Sequence, residues 1–233
     1  MLKMALQRGV KDPCKWICRK TTNKSFPWKN FFTDDSGRNI TLRYNIYIIL
    51  QIWRKNMSLN LENYIASIPG FPKEGILFRD VTPILSNPEA YKETIRLFCD
   101  YAKKVGATKI AGPEARGFWF GCPVAAELSL GFVPVRKPGK LPRETVSEKY
   151  DLEYGSNEVC MHKDAIEAGD KVLIIDDLLA TGGTAEASAK MVEKLGGEVV
   201  GCAFVIELYG NGMDGRGTLK DYDVYSILNL SDN

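Results

Sequence analysis

The stretch KVLIIDDLLATGGTAEA, residues Lys171 to Ala187, decides how the rest of the chain is read. Val172–Ile175 is a short, continuously apolar, β-branched run, the signature of a buried strand. Asp176 and Asp177 stand at its carboxyl end, and Ala180-Thr181-Gly182-Gly183-Thr184 turns into a helical pattern that Gly196-Gly197 closes. The glycines allow positive φ and close approach, so backbone N–H groups can face inward beside the two threonine hydroxyls and the helix N-terminus. That combination cradles a phosphate. It lacks the lysine of a P-loop, and its adjacent glycines do not form G-x-G-x-x-G.

Two carboxylates beside an anion cradle need a reason, and a ribose 5-phosphate supplies one. Its phosphate suits Thr181–Thr184, and its 2- and 3-hydroxyls suit Asp176 and Asp177. A developing positive charge on the sugar or a Mg²⁺ ion would suit the carboxylates as well. The competing reading is an N-cap acid in a tight turn.

Outward from this stretch, strands alternate with helices. The spacing predicts a helix over Leu59–Ile68 stopped by Pro69-Gly70, then a short extended "ILF" inside a Pro/Gly-punctuated loop. A second helix runs from Pro88 to Gly106, and a third from Phe118 to Leu130, ended by Gly131. "KIAG" (Lys109–Gly112), "FVPVR" (Phe132–Arg136) and "EVVGCAFVIEL" read as strands, and Lys137–Gly155 as a long polar loop. The pattern implies an α/β fold, a mostly parallel sheet with helices on both faces. Its strand-to-helix turns gather at the carboxyl edge, where open α/β sheets bind ligands. "GNGMDG" (Gly210–Gly215) imitates a dinucleotide fingerprint, but no amphipathic helix or further βαβ strand is expected after it. It reads as a Gly-rich loop.

Bulk properties exclude several classes. The 233 residues are 45% hydrophobic and 26% charged, ordinary for a globular protein. No apolar run approaches the roughly 18–20 residues that span a bilayer, so no membrane partner is expected. The single histidine, His162, rules out a His-cluster metal site. The six cysteines lack zinc-site spacing and read as reduced thiols. The net charge of +2 hides an asymmetry: residues 1–56 carry twelve Lys/Arg against three acids, a net of +9, and the remainder carries −7. The first piece has neither the Arg/Ser composition of a transit peptide nor the apolar core of a secretory signal. It reads as a basic extension outside the folded domain, with Met57 as the expected start of a domain of residues 57–233.

Five ordered segments carry a family resemblance: "GILFRDVTPIL" (Gly75–Leu85), "EARGFWFG" (Glu114–Gly121), "FVPVRKPGKLPRET" (Phe132–Thr145), "YDLEYG" (Tyr150–Gly155) and "VLIIDDLLATGGT". Together they resemble the type I phosphoribosyltransferases, most closely the bacterial branch that uses adenine. The resemblance runs from about Met57 to the C-terminus. It implies that fold with a small hood, transfer of phosphoribosyl from phosphoribosyl diphosphate to adenine, and a cytoplasmic homodimer in purine salvage. Mg²⁺ would be bound mainly through the donor's own oxygens, without a cage of protein side chains. The ribose-phosphate set is Asp176, Asp177, Ala180, Thr181, Gly182, Gly183 and Thr184. The diphosphate set is Glu114, Ala115, Arg116, Arg136, Lys137 and Lys140, with Arg143 nearby. Leu77, Phe78, Arg79 and Leu208 would hold adenine, backbone groups reading its N6–H₂ and N1. Glu153, Tyr154 and Arg116 are the catalytic candidates, Glu153 either stabilising the sugar cation or managing the purine proton. Two alternatives remain: a phosphoribosyl-diphosphate-sensing transcription regulator, and a transferase for xanthine or hypoxanthine. Against the regulator, residues 1–56 show no pair of well-capped amphipathic helices, so no nucleic-acid partner is expected.

Overall fold

The computed structural model describes residues 59–152 and 155–232, with the backbone alone at 151, 152, 155 and 156. The expectations for residues 1–56 and for a start at Met57 lie outside the described residues, as do Glu153 and Tyr154.

A 3-10 turn (Leu61–Tyr64) leads into a hairpin of β1 (Ala66–Pro69) and β2 (Leu77–Asp80). Helices α1 (Thr82–Ser86) and α2 (Pro88–Val105) precede β3 (Lys109–Pro113), α3 (Arg116–Leu128) and β4 (Gly131–Val135). An antiparallel ribbon of β5 (Thr145–Leu152) and β6 (Gly155–His162) follows. Then come β7 (Lys171–Leu179), α4 (Gly183–Lys194), β8 (Glu198–Tyr209), α5 (Gly215–Thr218) and β9 (Val224–Ser231). Five strands make one sheet in the order β4-β3-β7-β8-β9, with every neighbouring pair parallel.

Alternation along β7 explains the layers. Leu173 and Ile175 face one way and pack with Ile110, Phe98, Phe120 and Val124, beneath α2 and α3. Val172 and Ile174 face the other way and pack with Ala111, Val133, Met191 and Val192 in a second core beneath α4, the first core being the one beneath α2 and α3. Because both faces are covered, the strand reads as one continuous apolar run. Helices on both faces of a parallel sheet are what the periodicity implied.

Four local expectations are corrected. Leu59–Ile68 is not a helix: after the single 3-10 turn, Ile65 is extended and Ala66–Pro69 pairs with Leu77–Asp80. Cross-strand pairing outweighs a weak helical period there. The third helix begins at Arg116 and stops at Ser129, whose left-handed φ of 56° caps it, while Gly131 opens β4. The supposed loop Lys137–Gly155 becomes strand from Thr145. Its polar residues hide a period of two, with Val146 and Tyr150 on the second core and Glu148 paired with Lys194. Finally, "GNGMDG" is a turn-rich loop as expected, but α5 and the parallel strand β9 do follow it.

Candidate active site

Asp176 and Asp177 stand towards the carboxyl end of β7, and the chain then swings through Ala180-Thr181-Gly182 into α4. Gly182 is required twice over: its φ is +86°, and a Cβ there would lie 3.0 Å from the Gly215 carbonyl and from Thr218 Cβ. No side chain caps α4, so its first-turn N–H groups are offered outward with the helix's partial positive charge. The Thr184 hydroxyl donates to the Tyr150 hydroxyl at 3.0 Å, tying the β5–β6 ribbon to this loop. Tyr150 also covers Gly183, where a Cβ would meet its ring at 2.8 Å.

The neighbouring strand supplies the counter-charge. After β3 the Glu114–Ala115 peptide is cis and α3 starts at Arg116, again without a side-chain cap. Arg116 Nε lies 3.0 Å from Asp177 Oδ2, and the Asp177 residue is only 1% exposed. The Asp177 N–H donates to Asp176 Oδ1 at 2.8 Å. Burial pushes the Asp176 carboxyl well above the usual carboxylate range, and the charge of Asp177 beside it pushes further. Burial also raises Asp177, against the pull of Arg116. Asp177 Oδ2 is buried and makes no aligned hydrogen bond. Two desolvated carboxyls side by side are poised to accept from hydroxyl groups. Gly117 makes the arrangement possible, since a Cβ there would sit 2.8 Å from the Ile175 carbonyl and 2.9 Å from Pro113 Cδ.

On the far side, Arg136 Nε bonds Glu114 Oε2 at 2.6 Å, and the Lys137 N–H donates to Glu114 Oε1 at 3.2 Å. Burial works against the Glu114 anion, but these bonds outweigh it and hold the carboxyl below its ordinary range. Arg136 Nη1 also donates to the Lys140 carbonyl, leaving the exposed Lys137 and Lys140 side chains beside the rim. Arg143 turns to Asp164 instead. A cavity of about 300 Å³ joins the pieces, lined among others by Glu114, Arg116, Lys137, Asp176, Asp177 and Thr184.

The family described as the phosphoribosyl transferase domain matches residues 80–233. The adenine phosphoribosyltransferase of Streptococcus uberis is 57% identical over 172 residues, 74% of this chain and 99% of that protein. The chain belongs to the adenine phosphoribosyltransferase family. Among solved structures, the adenine phosphoribosyltransferase of Thermoanaerobacter pseudethanolicus superposes with a TM-score of 0.70 at 49% identity, covering 73% of this chain and 98% of that one. The Saccharomyces cerevisiae enzyme, solved with adenine, gives 0.68 at 40% identity, with coverages of 72% and 96%.

Among the residues expected to hold the base in this adenine phosphoribosyltransferase family member, Leu77–Arg79 lies on β2 of the hairpin, just before the matched residues 80–233. The Phe78 ring lies 5.8 Å from the Arg116 guanidinium and meets Phe71 edge-on at 5.2 Å. Arg79 points elsewhere: Nη2 donates to the Ser231 carbonyl at 2.6 Å and Nη1 to Ser67 Oγ. Leu208 is 7% exposed and packs in the first core near the end of β8. Ala115, Ala180, Thr181, Gly182, Gly183, Arg136, Lys140 and the hairpin residues do not line the cavity itself. Sequence reasoning missed six cavity residues, Pro113, Pro138, Tyr150, Asn157, Glu158 and Val159. Tyr150 left a trace as the first residue of the YDLEYG segment and in its alternation with Val146 along β5. Among the described residues, no group of three or more His, Cys, Asp or Glu side chains is placed to hold a metal ion. No described helix is long and apolar enough to cross a membrane.

Proposed function

We propose that the chain transfers the 5-phosphoribosyl group from phosphoribosyl diphosphate to adenine, forming AMP and pyrophosphate. One observation carries the reading: in a member of the adenine phosphoribosyltransferase family, two adjacent carboxyls, Asp177 buried and Asp176 half-buried, share one cavity with an uncapped helix N-terminus and a guanidinium.

The roles follow from position. Thr181–Thr184 and the first N–H groups of α4 take the 5-phosphate, and Asp176 and Asp177 take the ribose hydroxyls. Those carboxyls also face the positive charge that grows on the sugar as the bond to diphosphate lengthens. Arg116, Arg136, Lys137 and Lys140 neutralise the departing diphosphate, with Glu114 orienting Arg136. The hairpin segment Leu77–Arg79 reads adenine through its backbone, while Phe78 and Leu208 offer apolar faces. Glu153 and Tyr154, between β5 and β6, cover the base–ribose junction and exclude water, which would otherwise capture the sugar cation. Glu153 either stabilises that cation or manages the purine proton.

Mg²⁺ belongs to the same proposal, held mainly by the donor's own oxygens. Asp176 and Asp177 are the chemically suited residues beside it, since hard carboxylate oxygens match that cation. When bound, it supplies neutralisation of the diphosphate. A homodimer, a cytoplasmic setting and a catalytic domain of residues 57–233 complete the proposal. A chain shortened to begin at Met57 is expected to keep its activity.

Labelled adenine, hypoxanthine, guanine and xanthine, each supplied with phosphoribosyl diphosphate and Mg²⁺, test the assignment in parallel. AMP from adenine at a rate far above the other bases is the expected result. Preference for a 6-oxopurine, or no nucleotide at all, refutes it.

A further inference from the structure

We propose that Arg79 is a positioning residue, whose guanidinium clamps the β1–β2 hairpin to the last strand of the main sheet and thereby sets where adenine stands relative to the ribose. The inference rests on the reading of Leu77–Arg79 as the base segment.

The hairpin has little else to hold it. Its two strands pair only with each other, in a sheet separate from the five-stranded one. Isolated two-stranded ribbons are marginal in water. Its outer side is thinly covered, with Ile68, Phe71 and Ile76 between 41% and 52% exposed. One end is fixed where Asp80 accepts from the Thr82 N–H and hydroxyl, starting α1. Beside the contact of Phe78 with Arg116, the other side-chain tie among the described residues is Arg79. Nη1 reaches across the hairpin to Ser67, its register partner, and Nη2 reaches the carbonyl of Ser231 at the end of β9. That second bond joins residues 152 apart in sequence and is charge-assisted, the stronger kind. From β9 the route is continuous through β8 to β7, the strand that carries Asp176 and Asp177. Side chains alternate along a strand, so while Arg79 grips β9 its neighbour Phe78 points the other way, beside Arg116. The Arg79 Nε is buried without a partner, so the fork is held by its two terminal nitrogens. A lysine can reproduce one of those bonds and not both.

The test is steady-state kinetics on the full chain, with adenine and phosphoribosyl diphosphate varied separately and the thermal midpoint recorded. Arg79→Met keeps the stem and removes both bonds. It is expected to raise the KM for adenine about tenfold, the effect of losing one charge-assisted bond. The KM for phosphoribosyl diphosphate should move less than about twofold, which is within ordinary surface-mutation effects. Arg79→Lys should fall between Arg79→Met and the unchanged enzyme. Ser67→Ala, which cuts one arm, should give a smaller rise and covers the case in which Arg79→Met does not fold. An unchanged adenine KM across folded variants overturns the clamp. So does a parallel rise for both substrates with a lowered midpoint, which marks general destabilisation. If the unchanged enzyme makes no AMP from adenine, the functional reading falls and the clamp with it; normal activity with insensitive variants sinks the clamp alone.

Discussion

Replacing Gly117 by alanine tests whether the site depends on the close approach of α3 to β7. The added Cβ would lie 2.8 Å from the Ile175 carbonyl oxygen, 2.9 Å from Pro113 Cδ and 3.2 Å from Asp176 Oδ1. The two nearest neighbours are a backbone atom and a proline ring, and neither can swing aside. Relief therefore requires the first turn of α3 to retreat by roughly half an ångström. Overpacking of this kind costs about 2–3 kcal/mol, and alanine's better helix propensity returns about 1 kcal/mol. The net loss of about 1–2 kcal/mol lowers the melting temperature by roughly 2–8 °C for a domain of this size. The same retreat moves Arg116 away from Asp177 and from the diphosphate position, and misplacement on that scale reduces kcat/KM by roughly 10- to 100-fold. Differential scanning fluorimetry and initial rates of AMP formation measure both effects. Gly131→Ala is the internal control: its Cβ would meet only the flexible Lys109 side chain, at 3.6 Å, and both readouts should stay close to the unchanged enzyme. A Gly117→Ala enzyme with unaltered midpoint and kcat/KM would refute the packing argument.

Two more perturbations probe the carboxyls and the ribbon. Asp176→Asn together with Asp177→Asn should abolish turnover in a folded protein, while Asp176→Asn alone should raise the melting temperature of the ligand-free protein at pH 7. Burial and the neighbouring Asp177 raise the Asp176 carboxyl in the folded state. Its stabilising contribution is therefore complete only below the unfolded carboxylate value, about 3.9, and is lost as pH rises through the folded value. The advantage of the asparagine should accordingly shrink as pH falls towards 4, and a midpoint difference independent of pH would contradict this. Tyr150→Phe keeps the ring over Gly183 but deletes the hydroxyl that accepts from Thr184. The KM for phosphoribosyl diphosphate is expected to rise about two- to tenfold, the worth of one hydrogen bond, with the adenine KM unaffected; equal shifts in both would argue for a purely structural tyrosine.

The juxtaposition of the two carboxyls with the glycine loop was legible in the sequence because it is local. Asp176, Asp177 and Thr184 are bound to one strand–loop–helix junction, and a buried parallel strand followed by glycines announces that junction by itself. Arg116 was legible for the same reason, at the next strand's carboxyl end. What escaped depends on contacts between distant segments. β5 is stabilised by Val146 and Tyr150 lying on a core formed by α4, so its own polar composition reads as loop. The side chain of Arg79 reaches a strand that ends 152 residues later, a contact no window of sequence contains. The helix expected over Leu59–Ile68 failed because pairing with Leu77–Asp80 decides that segment. Leu208 was expected as a face for the base, and its place in the first core near the end of β8 is set by the register of β8 with β9.

The separateness of the β1–β2 hairpin has a consequence for how this family can diversify. Asp176 and Asp177, proposed to take the ribose hydroxyls, stand on a doubly covered sheet, where a change at one position disturbs many neighbours. The segment proposed to meet the nucleobase lies on a two-stranded ribbon outside that sheet, and Leu77–Arg79 precedes the residues 80–233 that match the wider transferase family. On the proposed roles, substitutions in the ribbon would retune which heterocycle is accepted while the donor chemistry is inherited intact. The architecture thus lets selection vary the reader and conserve the reaction.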